Sequence, residues 1–371
     1  MPRSSRLRSL DVFRGLTMAS MVIVNNPGDW ATVYAPLLHA EWHGWTPTDL
    51  IFPFFIFILG VAMAQADPGR TQVRAVLRRG AILVGLGLFM AGFPFFNPAR
   101  WRIPGVLFRL GVSYVAAAFT WRALAAPGDQ LATLRRTLAA AAGCLLGYWM
   151  LVALVAPPGG VAGDLSPEGN LGAWLDRAIF GTHLWQARWD PEGLLSSLPA
   201  VGTALMGLAA GLWLRLLRPA SGAPALVYAG AAAVLTGFLW DTVFPINKAL
   251  WTSSYALFTA GAAALSLGVL HHRLDDGRAP AWLNRATEPL VALGRNALLL
   301  FVLSGLAAKS LILLKVGGGP EAISAQRWIY TGVFVPLASP KVASLLFALA
   351  HLAVLYALLA WLHRRRWYWS V

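Results

Sequence analysis

Long apolar stretches alternate with short polar or Gly/Pro-containing connections along the whole chain. We predict ten of them, near residues 9–26, 48–66, 79–96, 104–122, 136–156, 196–214, 223–241, 249–270, 288–312 and 342–363. As an α-helix, each stretch is long enough to cross about 30 Å of hydrocarbon. The pattern therefore predicts an all-α polytopic membrane protein with about ten transmembrane helices, built as one domain over residues 1–371.

The first two stretches and their connection, residues 10–63, differ from an ordinary membrane hairpin in their polar content. Their ionisable residues are Asp11, Arg14, Asp29, His39, Glu41, His43 and Asp49. A hairpin that only spanned the membrane would not need ionisable groups at both ends and two histidines between them, because charges near hydrocarbon are costly. We therefore predict that this hairpin carries the chemistry of the protein.

Composition supports the membrane assignment and narrows the function classes. The chain is 57% hydrophobic and only 12% charged, whereas about a quarter of the residues in a soluble domain are charged. The net charge of +14 is explained by arginines at the membrane interface, so we do not expect nucleic-acid binding. The single cysteine, Cys144, excludes an internal disulfide and indicates no thiol-based metal site.

The predicted orientation follows from loop arginines and lysines, which accumulate on the cytoplasmic side of multi-pass proteins. With the N terminus in the cytoplasm, the connections on that side, including those with Arg78 and Arg364, hold most of the loop cations. This bias predicts an N-in/C-in protein of the cell inner (cytoplasmic) membrane, with outer loops at about 27–47 and 157–197. The first apolar stretch has internal polar positions and no small-residue cleavage site, so we expect it to be retained.

Polar residues at both ends of the first stretch are candidates for ligand binding. Asp11 and Arg14 are three residues apart, so they share a helix face and can pair. Arg14 is either part of an ion pair at the helix start or a contact for a phosphate of a cytosolic ligand. Asn25 follows Asp11 by 14 residues, which is about 21 Å along a helix and places Asn25 in the outer half of the membrane. The sequence Asn25-Asn26-Pro27-Gly28 also fits a helix stop.

The two histidines of the outer connection, His39 and His43, have three alternative interpretations. At helical spacing an HxxxH pair can bind a metal, but no further His or Cys lies nearby in sequence, so we expect no metal. A histidine in a loop is commonly solvated and has no role, but histidine also titrates near neutral pH, which suits a general base or a nucleophile.

Charged residues also fall inside predicted spans, namely Arg109, Arg295 and Lys309. Such residues are functional candidates because a charge in hydrocarbon is costly. There is no G-x-S-x-G, P-loop or dinucleotide-binding motif. The residues alone therefore predict a protein with ten spans, a polar interior and an outward histidine, without naming a reaction.

Six segments of the chain resemble one family. They are SLDVFRGLTM, VNNPGDW, LLHAEWHGWTPTDLIFPFFIFILGVAMA, WRIPGVLFRLGVSY, DPEGLLSSLPA and FPINKALWTSSYALFTAG. In this order they are similar to the transmembrane acyltransferase family of heparan-α-glucosaminide N-acetyltransferase, in its short bacterial NagX-type form. The resemblance covers nearly the whole chain.

The resemblance implies an acetyltransferase that binds acetyl-CoA on the cytosolic side. The acetyl group would pass to the amine of glucosamine or a related amino sugar on the outer side. The family's histidine matches His39, and its V-N motif matches Val24-Asn25. His39 would then act as a base or nucleophile, and the Asn25 amide would donate to the thioester oxygen as negative charge develops there.

The remaining expected contacts divide between the two substrates. For acetyl-CoA we expect Arg14, Arg78, Arg79, Asp11 and Asn296. For the acceptor we expect Asp49, Asp190, Glu192 and Lys248. The arginines are equally explained by membrane orientation. Asp190 and Glu192 are equally explained as acidic residues of a turn that starts a helix.

An amino-sugar transporter or sensor that kept the fold without catalysis is the alternative function. Intramembrane arginines and polar breaks inside spans suit either class, whereas the Asn25 and His39 pair favours the enzyme. Acetyl-CoA, an amino sugar and the lipid bilayer are the expected partners. The sequence leaves open a homodimer, the identity of the acceptor, and the choice between direct transfer and an acetylated enzyme.

Overall fold

The structure, a computed structural model, describes residues 6–66, 72–217, 219–276 and 279–369. Its α-helices are α1 Arg8–Asn25, α2 Ile51–Met63, α3 Val73–Gly92, α4 Val106–Leu124, α5 Gln130–Leu154, α6 Leu171–Phe180, α7 Ser197–Leu216, α8 Pro219–Asp241, α9 Ser253–Leu274, α10 Ala281–Arg295, α11 Ala297–Leu313, α12 Ala325–Ile329 and α13 Pro340–Arg364. A helix lies at each of the ten predicted stretches, and the ninth stretch is divided between α10 and α11. The all-α prediction is confirmed.

Six of these helices are long and apolar enough to cross a membrane, or up to seven if α10 and α11 form one bent span. The chain is therefore a multi-pass membrane protein. Among the other helices, α2 has only 13 residues, and α4 carries Arg109 and Arg122. Ten spans and the N-in/C-in orientation stay predictions. The arginines Arg3, Arg70, Arg218 and Arg278, which contribute to the charge bias, lie outside the described residues.

Several short elements were not predicted from the pattern. Helix α6 lies within the predicted outer loop 157–197, where the side chain of Asn170 caps it by accepting from the Ala173 N–H. A two-stranded antiparallel pair, β1 Lys315–Val316 and β2 Ile323–Ser324, follows α11. A π-helical turn over Tyr330–Phe334 follows α12. These segments are too short to produce a periodic apolar signal.

The chain divides into two compact units, which we describe separately. The first unit contains Met1–Leu10, Ala40–Trp45 and Phe52–Arg278. The second contains Asp11–His39, Thr46–Ile51 and Ala279–Val371. The single domain over residues 1–371 stays a prediction.

In the second unit, α1 and α10 approach each other closely at two glycines. A Cβ atom on Gly15 would lie 1.8 Å from the carbonyl oxygen of Leu290, and one on Gly294 would lie 1.9 Å from that of Asp11. Only glycine permits this approach, because it has no Cβ. Helices α10 and α11 are bent by 74° at their junction. The first turns of α1 therefore pack against the segment just before the break in the α10–α11 pair.

Candidate active site

The second unit joins two predicted site residues, His39 and Asp49. Nδ1 of His39 lies 2.6 Å from Oδ1 of Asp49. The His39 side chain is 51% exposed, whereas that of Asp49 is 1% exposed. The structure thus pairs an accessible imidazole with a buried carboxylate. Sequence reasoning assigned Asp49 to the acceptor and did not identify it as the partner of His39.

A short turn at the start of the second stretch holds Asp49 in place. Residues Pro47–Leu50 form a 3₁₀ turn with a capping box, in which Thr46 is the cap. The Thr46 backbone N–H donates to Oδ2 of Asp49 at 3.0 Å, and the Thr46 hydroxyl lies 3.2 Å from the same oxygen. That hydroxyl also lies 2.6 Å from the carbonyl oxygen of Leu38. The turn that positions Asp49 is therefore tied to the residue next to His39.

The two carboxylate oxygens of Asp49 have different partners, and this fixes the imidazole. Oδ2 accepts from the Thr46 backbone N–H, and Oδ1 faces Nδ1 of His39. An ionised carboxylate only accepts hydrogen bonds, so Nδ1 of His39 must carry the proton. Neutral His39 then has its lone pair on Nε2. A carboxylate that orients an imidazole in this way is the arrangement used for general base catalysis.

The two asparagines at the end of α1 lie in different surroundings. Asn25 is exposed. Asn26 is buried, and its Nδ2 donates to the carbonyl oxygen of Val22 at 2.7 Å and to the hydroxyl of Ser304 at 3.1 Å. The Asn26 amide therefore has a structural role within the second unit, which the sequence did not indicate. The exposed Asn25 is the accessible amide of the two.

The predicted pairing of Asp11 with Arg14 is confirmed. Nη1 of Arg14 lies 3.6 Å from Oδ1 of Asp11, and the Arg14 side chain is 21% exposed. Since Gly294 packs against Asp11, the last turn of α10 is close to this ion pair. The guanidinium of Arg295, the next residue, lies 3.8 Å from the ring centroid of Tyr368. Arg14 and Arg295 are thus the chain neighbours of the two glycines, Gly15 and Gly294, at which α1 and α10 approach each other.

Asn296, a predicted acetyl-CoA contact, has partners within the chain. It is fully buried between α10 and α11. Its Oδ1 accepts from the Trp369 N–H at 3.1 Å, and its Nδ2 lies 3.4 Å from the Trp367 carbonyl oxygen. The amide thereby holds the C-terminal segment against the helix break. The contact of Asn296 with acetyl-CoA stays a prediction, and in the structure this amide binds the C-terminal segment.

In the first unit, Arg78 and Arg79 differ although they are neighbours on α3. Arg78 is exposed, whereas Arg79 is half-buried with its guanidinium 4.7 Å from the ring centroid of Tyr114. A guanidinium over an aromatic face is stabilised by the ring. Of the two, Arg78 is the more accessible to a phosphate.

Asp190 and Glu192 have a partner that the sequence did not indicate. Arg102 donates from Nε to Oδ2 of Asp190 at 2.9 Å and from Nη2 to Oδ1 at 2.6 Å. Nη2 also donates to Glu192. Burial lowers the pKa of Arg102, but the two carboxylates outweigh burial, so the pKa is raised. Both carboxylates are buried, so their expected binding of an amino-sugar ammonium is not supported. The turn alternative fits, because Oδ1 of Asp190 accepts from the Glu192 N–H.

Arg109 and Asp176 also hold the loop that contains Asp190 and Glu192. The fully buried Arg109 on α4 donates from Nη2 to the carbonyl oxygen of Gly193 at 3.1 Å and to the hydroxyl of Ser196. From α6, Asp176 accepts from the Leu194 N–H at 2.8 Å. Burial raises the pKa of Asp176 to about 6. Arg109 was predicted to matter as a charge in a span, and its observed contacts serve to position this loop.

Two remaining predicted residues lie in the first unit. Lys248 is half-buried in the turn before α9, where its carbonyl oxygen accepts from the Trp251 N–H at 3.1 Å. His43 is exposed, with Nδ1 3.4 Å from Nδ2 of Asn247. The chain is not helical from residue 39 to residue 43, so the helical HxxxH spacing does not form. Within the described ranges, no cluster of three or more His, Cys, Asp or Glu side chains could hold a metal ion.

Comparison with known proteins gives one family model and two relatives that carry the same name. The family model described as "Heparan-alpha-glucosaminide N-acetyltransferase, catalytic" matches residues 6–155. The human heparan-α-glucosaminide N-acetyltransferase is 28% identical over 328 residues, which cover 73% of this chain and 49% of that protein. The mouse protein of the same name is 28% identical over 334 residues, or 73% and 50%.

The chain thus spans about half the length of the curated relatives it matches. The matched segment includes α1, the connection with His39, and the turn with Asp49. Residues 6–155 are therefore similar to the heparan-α-glucosaminide N-acetyltransferase catalytic family, and the multi-pass chain resembles these enzymes over most of its length.

Proposed function

We propose that the protein is a membrane acetyltransferase. It moves the acetyl group from cytosolic acetyl-CoA to the amine of glucosamine or a related amino sugar on the outer side. The observation that carries the proposal is the pair of exposed His39 and buried Asp49, 2.6 Å apart, inside the segment that matches the family. Acetyl transfer to an amine needs a base or a nucleophile, and this pair is built to supply either.

In direct transfer, Nε2 of His39 takes a proton from the amine as its nitrogen attacks the thioester carbon. The new carbon–nitrogen bond forms, the carbonyl oxygen becomes negative, and the Asn25 amide donates to it. Collapse breaks the carbon–sulfur bond, and the leaving CoA thiolate takes up the proton that the His39 imidazolium holds, which restores the neutral imidazole. Asp49 stabilises the imidazolium that forms, because the carboxylate faces its Nδ1–H.

In the alternative route, Nε2 attacks the thioester first and holds the acetyl group as acetyl-imidazole. CoA leaves as the thiolate, the amine then attacks the acetyl carbon and displaces the imidazole, and the proton that the amine loses ends on the CoA sulfur. Both routes use the same orientation of His39. Only the second route leaves a radiolabelled acetyl group on the protein when labelled acetyl-CoA is added without an acceptor.

The donor would be held by arginines at the cytoplasmic ends of helices. CoA carries phosphates, which arginine binds through charge-assisted hydrogen bonds. Arg14 fits this use because its guanidinium is partly exposed, and Arg78 fits because it is exposed on the first turns of α3. Arg79 fits less well because its guanidinium packs on Tyr114. Asn296 is engaged with the C-terminal segment.

The direct test uses purified protein in proteoliposomes with radiolabelled acetyl-CoA and glucosamine. We expect labelled N-acetylglucosamine, and a loss of at least about 10²-fold in His39→Ala, as is typical when an acid/base group is removed. His43→Ala is the matched control, because it removes an exposed histidine four residues away and should have a milder effect. Equal turnover in His39→Ala and wild type would refute the site assignment.

Transport without catalysis is the second candidate, and the break between α10 and α11 favours it. The two helices meet at 74°, and discontinuous helices line substrate sites in many transporters. Proteoliposomes without acetyl-CoA would distinguish the two functions. Saturable uptake of labelled glucosamine, unchanged in His39→Ala and without acetylated product, would favour transport.

A further inference from the structure

Trp185, in the predicted outer loop 157–197, combines high exposure with a fixed position. Its side chain belongs to the large exposed hydrophobics, with 61% of the residue exposed. An exposed aromatic ring on a mobile loop would lose conformational freedom whenever it bound a ligand. The contacts around Trp185 reduce this cost before any ligand arrives.

Two contacts hold the residue. Its backbone N–H donates to Oδ2 of Asp190 at 2.7 Å. The guanidinium carbon of Arg102 lies 4.9 Å from the ring centroid, within the distance over which a cation and an aromatic ring attract each other. Arg102 is itself held by Asp190 and Glu192. The ring therefore rests on a partly buried ion cluster.

The polar groups around the ring suit a hydroxylated ligand. The Arg102 side chain is 22% exposed and that of Glu192 is 9% exposed, so both reach the edge of the cluster. An aromatic face packs against the C–H groups of a pyranose, and a guanidinium donates to its hydroxyls.

We propose that Trp185 is a stacking platform for a pyranose ring of the amino-sugar acceptor, held in place by Arg102, Asp190 and Glu192. The identity of the sugar class rests on the proposed function. A tryptophan that only anchors the protein at the membrane interface is the competing explanation. Interface anchoring requires no ion cluster under the ring, whereas a binding platform benefits from one because it is then preorganised.

The test uses protein labelled with 5-fluorotryptophan in nanodiscs and read by ¹⁹F NMR. Trp185→Phe assigns the resonance, and the probe is the β-1,4-linked disaccharide of glucosamine. We expect a saturable shift of the Trp185 resonance, in wild type and equally in His39→Ala. Trp282, which is 67% exposed, is the matched control, and its resonance should not shift. Because binding is read without turnover, failed catalysis and a failed platform give different results.

Two variants strengthen the test. Trp185→Ala should raise the Kd for the disaccharide about 3- to 10-fold, as expected for loss of one aromatic contact. Arg102→Lys keeps the charge but loses the planar bidentate contact, so it should weaken binding in the same direction. The proposal is overturned if the disaccharide leaves the Trp185 resonance unchanged. It is also overturned if spin-labelled lipid broadens that resonance and Trp185→Ala binds the disaccharide like wild type.

Discussion

Replacement of Asp49 by asparagine should change the orientation and the tautomer of the His39 imidazole while the histidine itself is kept. The carboxylate accepts on both sides, from Thr46 through Oδ2 and from Nδ1–H of His39 through Oδ1. An asparagine can accept on only one side. The Thr46 backbone N–H is a fixed donor, so the amide oxygen should turn toward it, and the NH₂ group should then face His39. Nδ1 would have to accept, and the proton would move to Nε2, which could no longer act as a base.

The expected loss follows from this change of tautomer. Removing a general base lowers turnover by about 10²–10⁴-fold, and a wrong imidazole tautomer has a cost near the upper end of that range. The folded state should lose about 1–2 kcal/mol, because hydrogen bonds to a charged acceptor become bonds to a neutral one. The KM for acetyl-CoA should change little if CoA is held by arginines remote from this pair.

Initial rates of glucosamine acetylation in proteoliposomes, measured across pH, give the readout. Asp29→Asn is the matched control: Asp29 also caps a short turn of the connection, its Oδ1 accepts from the Ala31 N–H at 3.0 Å, and it is exposed. That variant should keep kcat within about threefold of wild type, because most surface substitutions change the free energy of unfolding by no more than about 0.5 kcal/mol. If Asp49→Asn keeps both wild-type kcat and its pH profile, the proposed orientation of His39 is wrong.

Three further predictions address the donor, the topology and the outer loop. Arg14→Ala, or Arg78 with Arg79 replaced by Ala, should weaken CoA binding in calorimetry more than it slows bound-state turnover; unchanged affinity in all of them would move the phosphate site elsewhere. In a background without Cys144, a cysteine at position 39 should react with an impermeant reagent from outside and one at position 364 only from inside, and the opposite labelling would reverse the orientation. Burial raises the pKa of Asp176 from 3.8 to about 6. Protonated Asp176 is therefore compatible with the fold below pH 3.8, whereas its ionisation as the pH rises through 6 lowers the free energy of unfolding by about 3 kcal/mol. Asp176→Asn should therefore raise the Tm at pH 7.5 but not at pH 4, and a Tm difference independent of pH would contradict this account.

The helices and the first ion pair could be predicted from the sequence because both depend on local spacing. In hydrocarbon every backbone N–H and C=O must be bonded within its own segment, so an apolar stretch of sufficient length is a helix almost without regard to context. Asp11 and Arg14 pair because three residues on a helix place them on one face. His39 was recognisable as a candidate from its place in the connection and from the resemblance, and its reactivity depends on chemistry that every histidine has.

The partners of the charged groups were decided by tertiary structure. Asp49 was visible as a carboxylate near the hairpin, but only the fold of the turn from Thr46 brings it to His39, ten residues away across non-helical chain. Arg102 lies 88 residues from Asp190, and no local rule could predict that pair. A buried charge must find an opposite charge or a hydrogen bond, but which one it finds depends on how the helices pack. For that reason the sequence indicated which residues could react, and the packing determined which of them are available to a substrate.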